Sequence, residues 1–111
     1  MASLTKRSFS APDERRTPPS ATMEIVRIGD RTVTRVTYQP GWRWSVHVKP
    51  IVGGELCQVN HFGYVISGRM HAQMPDGAEI DMGPGDVGMV PAGHDGWVVG
   101  DEPCVFVDFG M

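Results

Sequence analysis

The chain has 111 residues, 21% of them charged, and a formal net charge of −3, which leaves room for one domain and a tail. In residues 1–22, Lys6, Arg7, Arg15 and Arg16 stand against Asp13 and Glu14, a local +2 that leaves −5 for residues 23–111. An acidic body argues against nucleic acid as a partner, and no apolar run is long enough for a membrane span or a secretory signal. The expectation is a cytoplasmic protein with its two cysteines reduced.

Residues 1–22 are rich in Ser, Thr, Pro and Arg, too poor in apolar surface to offset chain ordering, and read as a disordered tail. The body, residues 23–111, is punctuated by Gly and Pro so often that a long helix has nowhere to sit. Residues 30–39 carry Thr32, Val33, Thr34, Val36 and Thr37, branched side chains that favour strands. Strands are predicted at 24–28 and 32–38, joined by the Gly29-Asp30 turn. The next is at 42–49, where Trp44, Val46 and Val48 share one face by period two. After the break at 50–54, strands follow at 61–67, 70–74 and 78–82, the last two joined by Pro75-Asp76-Gly77. Three more, at 87–90, 96–99 and 104–109, bring the total to about nine and the fold class to an all-β sandwich or barrel.

Two blocks carry the chemistry. Cys57 and His61 stand four residues apart in a stretch that ends at Gly68. Gly85, Pro91 and Gly93 form the pattern Gly, five residues, Pro-x-Gly, with His94 directly after it. A short hairpin, residues 69–82, separates the blocks. Two such blocks around a hairpin resemble the cupin superfamily, and the likeness to small single-domain bacterial cupins of RmlC type runs from about Tyr38 to Gly110. The resemblance implies a jelly-roll barrel, the double-stranded β-helix, with metal ligands pointing inward.

The match departs from the family pattern at two places. The second-motif histidine normally stands where this chain has Gly96; a shift of two residues keeps His94 on the same face of an extended chain. In the first motif, counting back from Gly68 puts His61 at the glutamate position and Glu55 and Cys57 at the histidine positions. Counting forward from Pro40-Gly41 puts His47 and Lys49 there instead. Both registers keep His61, and both remain open on the sequence.

The resemblance makes Cys57, His61 and His94 the candidate metal ligands, with His47 a fourth ligand or pocket residue. One thiolate and two imidazoles suit a divalent ion, Zn²⁺ or Fe²⁺ above all. Glu55 reads as a solvated carboxylate and His71 as surface. Asp95 reads either as an orienting partner for His94 or as a turn cap. Of Trp42, Trp44 and Trp97, two are expected to fill core, and Tyr64 and Arg69 are candidates to meet an anionic substrate. A Cys57–Cys104 disulfide is the alternative for the thiols in an oxidising setting.

The functional expectation is a metal-binding cupin acting on a small molecule, as an enzyme of dioxygenase, isomerase or decarboxylase type. The alternative is a non-catalytic cupin that binds a metal or small molecule for sensing. With so small a body and the open edges of a barrel, a homodimer is expected, as the resemblance also implies.

Overall fold

The computed structural model describes residues 4–110. The nine strands found there are β1 (Glu14–Arg16), β2 (Ala21–Ile28), β3 (Arg31–Tyr38), β4 (His61–Ser67), β5 (Met70–Gln73), β6 (Glu79–Met82), β7 (Val87–Val90), β8 (Asp95–Val98) and β9 (Cys104–Asp108). They form a six-stranded sheet in the order β1-β2-β3-β9-β4-β7 and a three-stranded sheet β6-β5-β8. All pairings are antiparallel. The all-β fold read from turn spacing is correct, and the strand count agrees, but the nine are not the same nine.

One predicted strand is absent. In place of the strand at 42–49 stand two single-turn helices over residues 44–52, α1 (Trp44–His47) and α2 (Lys49–Val52), the second with Pro50 in its first turn. The alternation of Trp44 and Val48 fits either structure, since residues four apart share a face in a helix as well as in a strand. Val46 separates the two readings. A strand would turn it inward with Trp44, yet it is 59% exposed while Trp44 is buried.

One strand was not predicted. Residues 1–22 were read as disordered, yet Glu14–Arg16 form β1 against Met23–Ile25, and Ala21 and Thr22 already belong to β2. Although poor in apolar surface, this segment is held by backbone pairing and charge. Arg27 donates to Glu14 at 2.8 Å, Asp13 accepts from the Arg27 amide at 2.7 Å, and the Arg35 guanidinium lies over Phe9.

Packing follows the pleat. Val36 of β3, Val65 of β4, Met70 and Ala72 of β5, Met82 of β6, Val90 of β7 and Val98 of β8 point between the sheets. They meet Trp42, Trp44, Cys104 and Phe106 in one core. Two glycines are demanded by close approach. A Cβ on Gly63 would meet the Val107 carbonyl at 2.0 Å, where β4 pairs with β9, and the Phe106 ring beside it. Gly68, at φ +75°, ends β4 where a side chain would strike Pro103. Among the described residues no helix is long and apolar enough to cross a membrane.

Candidate metal centre

The two sequence blocks meet through the backbone. Cys57 and His94 form an isolated antiparallel bridge. The Cys57 amide donates to the His94 carbonyl at 2.7 Å, and the Gly93 amide donates to the Cys57 carbonyl at 2.6 Å. The turn preceding His94 is fixed by the Ala92 amide, which donates to the Asn60 side chain at 2.8 Å. His61 opens β4 and projects inward beside them. The ligand atoms of Cys57, His61 and His94 all lie within 4.8 Å of one another.

Each imidazole has one nitrogen engaged and one left over. His61 Nδ1 donates to Asp108 Oδ2 at 2.6 Å, and His94 Nδ1 donates to the Pro91 carbonyl at 2.7 Å. Both Nε2 atoms are therefore the free donors, with His61 Nε2 standing 3.8 Å from Cys57 Sγ. Carboxylate-to-histidine and carbonyl-to-histidine bonds are the usual means of fixing the tautomer and orientation of a ligating ring. Ligand atoms around a tetrahedral zinc stand about 3.3–3.8 Å apart, so this donor set needs only a small contraction to fit an ion.

The electrostatics couple the three side chains. Burial pushes the Cys57 thiol up, but hydrogen bonds from His61 and His94 outweigh it and bring the thiol down to about 6. Burial opposes the charge on His61, yet the Asp108 carboxylate and Cys57 raise that imidazole to about 9. Burial also raises Asp108, and His61 and the Gly110 amide more than offset it, holding the carboxyl below its usual range. Cys104 lacks such neighbours and burial alone lifts it to about 11. Both cysteines are free thiols, so the disulfide alternative falls.

The structure brings together three of the four predicted ligands. His47 stands outside the group: on α1 its Nδ1 accepts from the Arg43 amide at 3.1 Å, because the helix turns it back along its own backbone. Of the two first-motif registers, the one containing Cys57 matches the geometry. Its other member, Glu55, is exposed and pairs with Lys49 at 3.0 Å. Asp95 is not a partner of His94. It accepts from the Ser45 amide at 3.2 Å and from Arg43 Nε at 3.1 Å, tying α1 to β8. His71 points away from the core and stacks on Trp97, while Trp42 and Trp44 are the two core tryptophans. Tyr64 and Arg69 lie on the exposed surface, away from the cavity.

Two functional positions escaped the sequence reading. Asp108 lies 47 residues from the histidine it orients, and the register Gly63↔Asp108 brings it there. The available signal was its alternation with Cys104 and Phe106 on one face of β9. Tyr38 ends β3 with its ring against Trp42, centroids 4.4 Å apart, and burial pushes its phenol above the ordinary range.

The donors stand at one end of a cavity of about 220 Å³ between the sheets. Tyr38, Trp42, Trp44, Met23, Met70 and Met82 contribute to its walls, and Pro18 of the N-terminal segment reaches its rim.

Solved structures share this architecture. KdgF from Halomonas sp. superposes with a TM-score of 0.61 at 20% identity, over 86% of this chain and 82% of that one. A protein of unknown function from Rhizobium leguminosarum bv. viciae gives 0.64 at 20% identity, over 99% of this chain and all of the other. Bacillus subtilis oxalate decarboxylase, a protein with Mn(II) centres, gives 0.60 at 25% identity. There the match covers 86% of this chain but only 27% of the decarboxylase. No curated protein matches the sequence. The Cupin domain family matches residues 54–110, the segment that runs from the Cys57 loop through β9 and so contains all three donors and Asp108. The chain belongs to the cupin family.

Proposed function

We propose that this cupin holds a divalent metal ion, Zn²⁺ or Fe²⁺, on Cys57 Sγ, His61 Nε2 and His94 Nε2, and binds a small molecule beside it. The observation that carries this reading is the pair of engaged Nδ1 atoms, which leaves both Nε2 atoms facing the thiol. With three protein ligands, the ion would keep an open position and supply Lewis-acid or oxygen-activating chemistry. Around it, Asp108 holds the His61 ring, the Pro91 carbonyl holds the His94 ring, and the tryptophans keep water from the walls.

A dioxygenase, isomerase or decarboxylase type of reaction is the enzymatic form of this proposal. The non-catalytic form, a cupin that captures its ligand without transforming it, is favoured by one observation. Among the described residues no Asp, Glu or Lys lines the cavity, so proton transfer there falls to Tyr38 and the ligand-bearing residues.

We further propose that the protein works as a homodimer, joined through the outer face of β9, β4 and β7. Phe62, Tyr64, Ile66, Val87, Met89 and Phe109 project there and are each 38% to 66% exposed. Together they offer on the order of 500 Å² of apolar surface, more than half of the roughly 800 Å² each partner gives to a standard interface. These six side chains are uncharged, which suits a contact in which the same patch meets itself across a two-fold axis.

Elemental analysis of protein purified without a histidine tag tests the metal site, together with the sulfur-to-metal absorption of the Co²⁺-substituted form. One equivalent of metal is expected in the wild type and in His47→Ala, and none in His61→Ala. Metal retained after His61→Ala, or a Co²⁺ form without the thiolate band, refutes the assignment.

A further inference from the structure

The cavity has a size and a polarity that together name a class of ligand. A cavity of about 150 Å³ with apolar walls accommodates benzene. At about 220 Å³, this one has room for a single ring and a few further heavy atoms. Its aromatic walls, Tyr38, Trp42 and Trp44, offer flat surfaces for a ring. Its three methionines offer flexible thioethers that fit around irregular shapes.

Polarity is confined to one end. The nitrogen and sulfur donors of Cys57, His61 and His94 stand there, and Tyr38 supplies the remaining hydroxyl. No lysine, arginine, asparagine or glutamine lines the walls. Of the arginines adjacent in sequence to lining residues, Arg35 pairs with Glu24 at 2.7 Å and Arg43 with Asp95 at 3.0 Å, while Arg69 is exposed and lies against Gly83. A carboxylate entering this space surrenders its hydration and finds no lysine or arginine to replace it, and the His61 ring is already held by the Asp108 carboxylate at 2.6 Å.

We propose that the cavity receives an uncharged, mainly apolar molecule of about one ring, with one polar group turned toward Cys57, His61 and His94. This deepens the reading of the site as a small-molecule cavity, but it does not depend on a metal being present. It also sets this barrel apart from a fold neighbour named for oxalate, as expected when one fold carries different sites.

Benzyl alcohol and benzoate test it, since they share a ring and differ in charge. Each is titrated into the full chain, first with chelator and then with Co²⁺, by calorimetry and by tryptophan fluorescence. Saturable binding of benzyl alcohol is expected in both states, with benzoate at least tenfold weaker in the chelated protein and oxalate without effect there. Ala72→Met, which fills the cavity, is expected to weaken benzyl alcohol at least tenfold while the circular dichroism is unchanged. If that variant does not fold, Met82→Ala serves instead. By enlarging the cavity it is expected to favour 2-naphthalenemethanol over benzyl alcohol at least tenfold more than the wild type does. Benzoate or oxalate binding the chelated chain as tightly as benzyl alcohol overturns the proposal. So does a folded wild type that benzyl alcohol does not saturate. A chain that binds benzyl alcohol but no Co²⁺ refutes the metal assignment alone.

Discussion

The two sheets present opposite faces to solvent. The larger one shows Phe62, Tyr64, Ile66, Val87 and Met89 on the outside of β4 and β7. The smaller one shows Glu79 and Asp81, with His71 bridging these two acidic residues of β6 at 3.3 Å each. Inside, the asymmetry repeats. The larger sheet supplies His61 and Asp108, whereas β5, β6 and β8 contribute Met70, Ala72, Met82 and Val98 as wall. The larger sheet thus carries one donor, its orienting carboxylate and the apolar outer face proposed for self-association, while the other donors lie outside it, at the bridge that leads into β8.

The largest effect expected from this contrast lies on the apolar face. Val87→Lys or Met89→Lys should weaken dimerisation at least a hundredfold, because a charge buried at a two-fold interface meets its own copy. His71→Ala on the opposite sheet should leave the dimer intact. Sedimentation velocity at micromolar concentration reads both, and a wild type that runs as a monomer there breaks the comparison.

Next in size is the carboxylate behind His61. Asp108→Asn is expected to reduce metal affinity 10- to 100-fold, the usual loss when the partner of a ligating histidine is removed. Competition with a chromophoric chelator measures it. An unchanged affinity would mean that the larger sheet supplies one ligand and no support.

Asp108 also shows how far the sequence could be read. Cys57, His61 and His94 were legible because each stands in a short local block that resembles a cupin motif. Asp108 was not, because its role depends on the pairing of β4 with β9, which no local pattern announces. The segment around His47 failed for a different reason, since Trp44 and Val48 satisfy helix and strand alike. β1 was missed because burial was taken as the only force that orders a chain, and backbone pairing to β2 suffices for three residues.

The pH dependence is smaller per step and has a definite sign. Metal binding requires neutral imidazole and thiolate. With His61 raised to about 9, binding below that pH must expel its proton, so affinity should fall up to about tenfold per pH unit. Below about 6 the Cys57 proton adds to this and the slope steepens. For the stability of the metal-free chain the two groups act in opposite directions. Cys57, lowered from 9.0, contributes fully above that value, and its contribution is lost as pH falls through about 6. His61, raised from 6.5, contributes fully below that value, and its contribution is lost as pH rises through about 9. A plateau of stability from about pH 6.5 to 9 is expected in thermal melts with chelator. A slope across that window would show that the pair is not charged.

The smallest effect concerns the N-terminal segment. Removing residues 1–16 deletes β1 and exposes the edge of β2, and a fall in melting temperature on the order of 5 °C is expected. No change would return the segment to the status of a solvated tail.

The bridge between Cys57 and His94 bears on how such a centre is assembled. Two of the three donors hang from a single backbone bridge closed by their own amides and carbonyls, without help from the side chains they carry. The scaffold is indifferent to which donor is mounted on it. Cys57→His or His94→Cys would therefore change the donor set while leaving the backbone bonds of the bridge in place, although His94→Cys gives up the ring's bond to the Pro91 carbonyl.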